Sequence, residues 1–298
     1  MHLLEIVFSW FYQYIDSITV LSLAAVGLVV IFGVMGVINM AHGEMIMVGA
    51  YVTSICYYKG VPVAVAIPLA GLVAAAFGVV LERFIIRRFY GQLLSSMVVT
   101  WGISIAMSQA ALLAFGPQMR SVPTPFGSFS VGGLSYSYYR VFLFAMVLLM
   151  LGALWLILMR TRFGLHSRAT MESPQMARAL GVYTPRIYSL TFGLGTGLAG
   201  IAGGLLAQTS AIGPFLGQAY TPQAFITVVV GGSADILVGL VASVLSLGAV
   251  KSIFTNQFNI LFGQVALLLA AFFIIRLMPS GISNWIEQRR VSVRATSR

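Results

Sequence analysis

The chain has 298 residues, of which 59% are hydrophobic and only 8% are charged, and its formal net charge is +10. Soluble domains carry roughly a quarter charged residues, so this composition excludes a soluble or disordered chain and predicts an all-α integral membrane protein. The positive charge then indicates membrane topology and contact with lipid, with no nucleic-acid partner. One cysteine and three histidines argue against a disulfide, a metal site or a redox cofactor.

The sequence lacks the motifs of several enzyme classes. Lys59 and Lys251 are the only lysines, and neither follows a glycine, so there is no G-x-x-x-x-G-K-[ST] loop for ATP. The H-E-x-x-H and G-x-S-x-G patterns are also absent. Because no Lys or Arg precedes the first apolar run, we expect that run to remain in the protein and not to be cleaved as a signal peptide. The sequence predicts a membrane protein that is not an enzyme.

Charge-free runs locate the membrane passes, because a spanning helix needs ~20 apolar residues. The eight apolar segments are 18–37, 44–58, 61–81, 93–115, 141–159, 188–208, 236–252 and 258–276. A ninth, between 213 and 232, is left open by its composition. Segments 44–58 and 236–252 are short, so we predict a polytopic helical bundle of eight to nine passes, two of them short or broken. The passes form a single transmembrane domain over residues 1–298.

Arginine clusters assign the sides of the membrane, because cytoplasmic loops are enriched in Lys and Arg. Residues 82–92 and 160–186 both qualify, and they agree because two passes separate them. Counting back three passes places the amino terminus outside. A basic tail from Arg276 to Arg298 lies inside only if residues 213–232 also cross, and we favour that crossing.

A polar interruption follows the first pass, where Asn39, His42 and Glu44 stand in otherwise apolar sequence. Gly43 there can supply a left-handed helix stop. Irregular backbone at membrane depth is tolerated only inside protein or along a water-filled cavity. These three polar residues are therefore candidates for the solute pathway. The alternative is capping, with Asn39 closing the preceding helix and Glu44 in the first turn of the next one.

A second interruption contains Gly231 and Gly232 and precedes a helix that Ser233 or Asp235 can cap. Paired glycine-interrupted segments in the two halves of a membrane chain indicate a translocation pathway. Gly231 and Gly232 are therefore candidate pathway residues as well, with helix capping again as the alternative.

Small residues at four-residue spacing mark a packing face, since they let helix backbones approach closely. Gly193, Gly197, Gly200 and Gly204 have this spacing. The face packs either within the chain or against another subunit, and we favour packing within the chain.

The largest predicted cytoplasmic segment is the arginine loop of about 160–187. Within it, residues 172–180 predict a short helix that is entered through Ser173 and Pro174 and ended by Gly181. An ordinary positive-inside loop is the alternative. A helix across the cytoplasmic face of a bundle can, however, receive movement from a separate motor subunit.

Several motifs together resemble a known family. They are G-V-I-N-M-A-H-G-E-M-I-M-V-G-A-Y at 36–51, R-T-R-F-G-L at 160–165, M-A-R-A-L-G-V at 176–182, T-F-G-L-G-T-G-L-A-G at 191–200 and V-V-V-G-G at 228–232. Their pattern is similar to that of the permease subunits of branched-chain amino-acid type ABC transporters. Three further motifs resemble the urea-transport branch most: T-W-G-I-S-I at 100–105, F-G-P-Q at 115–118 and G-P-x-L-G-Q-x-Y at 213–220.

The resemblance implies a transmembrane permease subunit of an ATP-driven importer in the bacterial inner membrane, most of all for urea. It implies four kinds of contact: with a second related permease that shares the solute pathway, with two cytoplasmic ATPases, with an extracytoplasmic substrate-binding protein and with lipid. The coupling residues that it implies are Glu172, Pro174, Met176, Ala177, Arg178 and Gly181. A branched-chain amino-acid permease and a self-sufficient channel for a small neutral solute are the alternatives, and the arginine loop favours an importer over a channel.

Overall fold

The computed structural model describes residues 2–232 and 234–296, and almost all regular structure in them is helical. The helices are α1 His2–Met35, α2 His42–Tyr58, α3 Val63–Phe84, α4 Leu93–Phe115, α5 Tyr138–Arg160, α6 Arg162–Glu172, α7 Pro174–Ala179, α8 Thr184–Leu206, α9 Leu216–Gly231, α10 Ile236–Gln257, α11 Ile260–Leu277 and α12 Ile282–Thr296. A 3₁₀ helix covers Ile86–Phe89, and strands β1 (Ser128–Val131) and β2 (Leu134–Ser137) form a hairpin.

Seven helical segments in the described part of the chain are long and apolar enough to cross a membrane. They are Glu5–Met35, Val63–Phe84, Leu93–Phe115, Tyr138–Arg160, Thr184–Leu206, Ile236–Gln257 and Ile260–Arg289. The prediction of an all-α polytopic membrane protein is confirmed. Two further helices are short: α2 has 17 residues and α9 has 16. At ~1.5 Å per residue each reaches roughly 25 Å, less than the ~30 Å of the hydrocarbon core.

Two boundaries predicted from charge were wrong, for the same physical reason. Helix α1 begins at His2, well before residue 18, and α10 continues through Lys251 to Gln257, so α10 is not a short segment. In both cases the interrupting charge has a partner. Asp16 pairs with Arg140, and Lys251 lies within electrostatic reach of Asp16. Because buried charges are tolerated when they are paired, these residues do not end their helices.

The chain divides into two compact units, and the division runs through α1, α5 and α9. One unit comprises Val26–Thr124 and Met150–Gln223. At its centre α8 packs against α2 and α3 through glycines. A Cβ on Gly200 would lie 2.5 Å from Ala74 Cβ in α3, and one on Gly203 would lie 1.9 Å from the Ile46 carbonyl oxygen in α2. Gly193, Gly197 and Gly204 likewise lie close to α2 or α3.

The other unit comprises Met1–Ala25, Pro125–Leu149 and Ala224–Arg298. Its β1–β2 hairpin turns through Gly132 and Gly133, which have φ angles of 61° and 81°. Two consecutive positive φ angles are the geometry of a tight hairpin turn that favours Gly-Gly. Tyr12 in α1 donates a hydrogen bond to the Ser137 carbonyl at 2.9 Å and packs edge-on against Tyr136. These contacts attach the hairpin to α1.

Candidate functional site

The first polar interruption is a short non-helical segment between α1 and α2. Gly36, with φ of 61°, ends α1, and Gly43 lies inside α2 without a positive φ angle, so the prediction of a left-handed stop at Gly43 was wrong. The Asn39 side chain accepts a hydrogen bond at 3.1 Å from the Ala41 backbone N–H. Asn39 therefore shapes the turn into α2 and does not close α1.

Glu44 lies in the first turn of α2 with 0% of its surface exposed. Its Oε1 accepts a hydrogen bond from the Ser104 hydroxyl of α4 at 2.8 Å. One turn before Ser104, the Thr100 hydroxyl accepts a hydrogen bond from the Met40 backbone N–H at 3.0 Å. Helix α4 thus provides hydroxyl groups to the Met40 backbone N–H and to one oxygen of the Glu44 carboxylate, polar groups that would otherwise be costly inside a membrane.

The polar face of α4 was not recognised as part of the site from the sequence. Ser96, Thr100, Ser104 and Ser108 are all buried and recur at four-residue spacing, which places them on one helix face. A polar residue at every fourth position of an otherwise apolar span is a signal that the sequence contained.

Close backbone contacts hold His42 and Gly43 in place. A Cβ on Gly27 of α1 would lie 2.9 Å from His42 Cε1 and 2.1 Å from the Gly195 carbonyl oxygen of α8. A Cβ on Gly43 would lie 2.2 Å from the Gly217 carbonyl oxygen at the start of α9. Helices α1, α8 and α9 therefore enclose the start of α2, and His42, like Glu44, has 0% of its surface exposed.

Gly231 and Gly232, the other two pathway candidates, lie in the other compact unit and form the break between α9 and α10. Gly232 has φ of 79°, and a Cβ on it would lie 2.8 Å from the Ser280 carbonyl oxygen and 3.1 Å from Gly281 Cα. Such contacts between backbones leave room only for glycine. Asp235 caps α10, with its Oδ1 accepting from the Leu237 and Val238 N–H groups at 3.0 and 3.1 Å, whereas Ser233 lies outside the described residues.

The structure therefore divides the five pathway candidates into two groups. Asn39, His42 and Glu44 lie together at the start of α2 with the hydroxyl groups of α4. Gly231 and Gly232 belong to a separate backbone contact. The first group supplies a carboxylate, an imidazole and hydroxyl groups, which can accept and donate hydrogen bonds to a small polar solute.

The predicted coupling segment contains two helices where one was expected. Glu172 ends α6, and Ser173 caps α7 by accepting a hydrogen bond from the Met176 N–H at 3.3 Å. Pro174 occupies the first turn of α7, as expected for proline. Gly181, with φ of 86°, follows α7 and agrees with the predicted stop. The predicted short helix entered through Ser173 and Pro174 is therefore present as α7, but Glu172 belongs to α6, because the serine cap and the proline start a new helix.

The exposed face of the coupling segment is apolar and large. Of the implied coupling residues, Ala177 is only 2% exposed and so does not lie on the surface of this chain, whereas Gly181 is exposed. Met176, Leu180 and Tyr183 are instead exposed, Leu180 by 81%. We call these three residues the α7 patch. Arg178 beside them is exposed and donates a hydrogen bond to the Pro174 carbonyl at 3.1 Å.

A buried polar cluster joins the end of α3 to the beginning of α8, shortly after the coupling segment. Glu82 is fully buried and accepts hydrogen bonds from Arg87, Tyr90 and Ser189. Burial, and next the neighbouring Glu82 carboxylate, raise the pKa of Tyr90. The hydrogen bond to Glu82 raises the pKa of Arg87. The cluster fixes the 3₁₀ helix Ile86–Phe89 against α8.

Comparisons with known proteins give a consistent result. The family model described as "Branched-chain amino acid transport system / permease component" matches residues 11–278. The chain is 28% identical to the high-affinity branched-chain amino acid transport system permease protein BraD of Pseudomonas aeruginosa, over 96% of this chain and 99% of that protein. It is 27% identical to the corresponding permease protein LivH of Salmonella typhimurium, over 91% and 93% of the two chains.

A second permease protein of Salmonella typhimurium, LivM, is 28% identical over 74% of this chain and 58% of its own length, and it bears the same system name as LivH. No solved structure matches the chain.

Proposed function

The chain belongs to the family of branched-chain amino acid transport system permeases, and we propose that it is the membrane-spanning subunit of an ATP-driven importer in the bacterial inner membrane. The observation that carries the proposal is the α7 patch. Met176, Leu180 and Tyr183 are exposed on a segment outside the candidate spans, among arginines. Exposed apolar side chains rimmed by polar residues are typical of a protein interaction site.

The occupant of the α7 patch is, in this proposal, a cytoplasmic ATPase. A patch of this kind on a passive channel would have no use, whereas an importer must receive the movement of a separate motor. The short link from α7 to α8 supports this role, because α8 is the helix that packs against both α2 and α3. Movement at the α7 patch would therefore reach the helices around Glu44.

The proposed cargo is a branched-chain amino acid. The names of BraD and LivH state this cargo for those proteins, and they match nearly the whole chain. Chemistry supports it as well, since the ammonium group of an amino acid is a suitable partner for the Glu44 carboxylate. Asn39, His42 and Glu44 then form one part of the solute pathway, and Gly231 and Gly232, at the break between α9 and α10, form another. Glu44 is buried in the described conformation, so solute reaches it only after the helices move.

Urea is the second candidate cargo. It rests on the motifs at 100–105, 115–118 and 213–220, which resemble the urea-transport branch. Two of these motifs lie close to the site, because the first contains Thr100 and Ser104 and the third contains Gly217. Urea is neutral, so it would use the hydroxyl groups of α4 and would not need the charge of Glu44.

The proposed partners are a second permease, two ATPases and an extracytoplasmic binding protein. LivH and LivM of Salmonella typhimurium, two permease proteins with one system name, are both similar to this chain. This similarity supports a pair of related permeases. The missing ATP-binding loop supports separate ATPases.

Uptake by reconstituted proteoliposomes tests both the class and the cargo. The chain is reconstituted with the permease, ATPase and binding-protein products of neighbouring genes, and uptake of labelled leucine and labelled urea is measured with and without ATP. We expect ATP-dependent leucine uptake. ATP-dependent urea uptake alone would reject the amino-acid cargo in favour of the second candidate. Uptake by the chain alone, without ATP, would reject the importer.

A charge placed in the α7 patch tests the coupling role. Leu180→Glu should reduce ATP-dependent uptake at least tenfold, because burying an unpaired carboxylate in an interface costs several kcal/mol. Gln175→Glu is the matched control, since it adds the same charge to an exposed position of α7, the helix that Leu180 follows directly. Membrane insertion of both variants should equal that of the parent chain. Equal uptake by the two variants would show that the patch does not bind the motor.

A further inference from the structure

An open groove runs along the packed pair α3 and α8. Its volume is about 910 Å³, and its lining consists of apolar and small side chains. Gly71, Gly193 and Gly197 in the lining are buried, whereas Leu72 and Leu190 beside them are exposed by 68% and 48%. The glycines create the depression, because they remove side-chain volume between two rows of larger residues.

The length of the groove distinguishes between two kinds of occupant. It extends from Pro68 to Val79 on α3 and from Leu190 to Ile201 on α8. Eleven residue steps at ~1.5 Å give about 16 Å on either helix, close to half of the ~30 Å hydrocarbon core. A transmembrane helix of a partner protein would need a contact along the full thickness. A groove of one leaflet's depth fits an acyl chain.

Two arginines stand at one end of the groove. Arg83 is four residues beyond Val79, and Arg186 is four residues before Leu190, so each lies one turn further on a helix face that lines the groove. The two helix ends meet there, because Ser189 of α8 donates a hydrogen bond to Glu82 of α3. The groove therefore ends at two positive charges.

Both arginines are available to an external anion. Arg83 and Arg186 are exposed, and among the residues that the structure describes neither forms an ion pair. The neighbouring Arg87 differs, since it is already paired with Glu82 at 3.1 Å. Arginine binds phosphate oxygens through parallel N–H donors, and basic sites between membrane helices bind anionic lipid headgroups.

We propose that this groove is a binding site for one anionic phospholipid, with an acyl chain along α3 and α8 and its phosphate held by Arg83 and Arg186. The apolar part supplies packing, which is not specific for a headgroup. The two arginines supply the preference for negative charge. The lipid would thus cover the exposed flank of the contact between α3 and α8 and add to the packing of α8.

Native mass spectrometry of the purified transporter complex tests the proposal. The complex is equilibrated with equal amounts of phosphatidylglycerol and phosphatidylethanolamine that carry the same acyl chains, and the bound lipids are counted. The parent complex should retain phosphatidylglycerol preferentially. Arg83→Ala with Arg186→Ala should lower this preference roughly 25-fold, about fivefold for each arginine removed. Arg88→Ala is the matched control, because Arg88 is exposed nearby but lies in the 3₁₀ helix, away from the groove.

A second variant tests the groove itself. Ala76 lines it and is exposed, so Ala76→Leu fills the space without disturbing the core and should reduce retention of both lipids. An unchanged lipid preference in the double arginine variant would overturn the headgroup site. The absence of retained lipid in the parent complex, together with cross-linking of Leu72→Cys to the second permease, would show that a protein helix covers the groove and would overturn the proposal.

Discussion

Gly49 of α2 and Gly200 of α8 touch through their backbones, and the effect of one added methyl group follows from this contact. A Cβ on Gly49 would lie 2.0 Å from the Gly200 carbonyl oxygen and 2.7 Å from its Cα. Ordinary van der Waals contacts begin at 3.4 Å, so Gly49→Ala requires α2 and α8 to separate by about 1.4 Å. Neither contacting atom belongs to a flexible side chain that could move away.

The separation is costly because helices in a membrane associate mainly through van der Waals packing. A gap of 0.5–1 Å already removes a quarter to a half of a dispersion contact. We therefore expect Gly49→Ala to lower the free energy of unfolding by about 3 kcal/mol, the upper end of the range for overpacked cores. On the scale of domains of 150–250 residues this corresponds to a melting temperature roughly 6–12 °C lower.

Thermal unfolding of the purified protein in mild detergent measures the effect. Gly152→Ala in α5 is the matched control, because a Cβ on Gly152 meets no atom within 4 Å. That substitution should leave the melting temperature unchanged or raise it slightly, since alanine favours helix more than glycine does. Equal melting temperatures for Gly49→Ala and Gly152→Ala would contradict the close approach of α2 and α8.

Three further substitutions give measurable outcomes. Tyr90→Phe should lower the free energy of unfolding at neutral pH by roughly 1.5–3 kcal/mol, the range for a hydrogen bond to a charged group. Burial and Glu82 raise the pKa of Tyr90 above its usual 10.0, so the native tyrosine stabilises the fold below pH 10 and progressively loses that contribution as the pH rises above 10. The free energy of unfolding of Tyr90→Phe should therefore fall less steeply at alkaline pH than that of the parent protein. An equally steep fall would contradict this account. Ser104→Ala removes a donor from buried Glu44 and should lower the melting temperature, whereas Ser95→Ala in the same helix should not. Asp235→Ala removes the cap of α10 and should cost about 1 kcal/mol, while Asp235→Asn should retain most of it in the same unfolding assay.

The elements that the sequence predicted well are those governed by local composition. Each of the eight apolar segments coincides with a helix, and the doubtful segment 213–232 contains α9. The stop at Gly181 and the cap at Asp235 were predictable too, because both depend on residues within one turn. Whether residues 213–232 cross the membrane, and which side the tail occupies, stay predictions.

Elements that depend on partners distant in sequence were predicted poorly. The predicted segment 18–37 excludes Asp16, but Arg140, more than 120 residues away, pairs with Asp16 and the helix continues through it. The Gly132-Gly133 pair is a local signal for a hairpin turn. The attachment of this hairpin to α1 through Tyr12, in contrast, had no local signal. Ala177 looked suitable for an interface because it is small, yet burial against the rest of its unit removes it from the surface.

By itself, the sequence determined that the chain is a helical membrane protein, where most helices lie and which family it resembles, because apolar run length and motifs are local properties. Only the tertiary structure decided what each polar residue contacts. Glu44 meets Ser104, Glu82 meets Tyr90 and Ser189, and α8 packs against both α2 and α3. The physical reason is that a helix face has no preferred partner until backbones pack, and the glycines that permit close packing do not specify which helix approaches them.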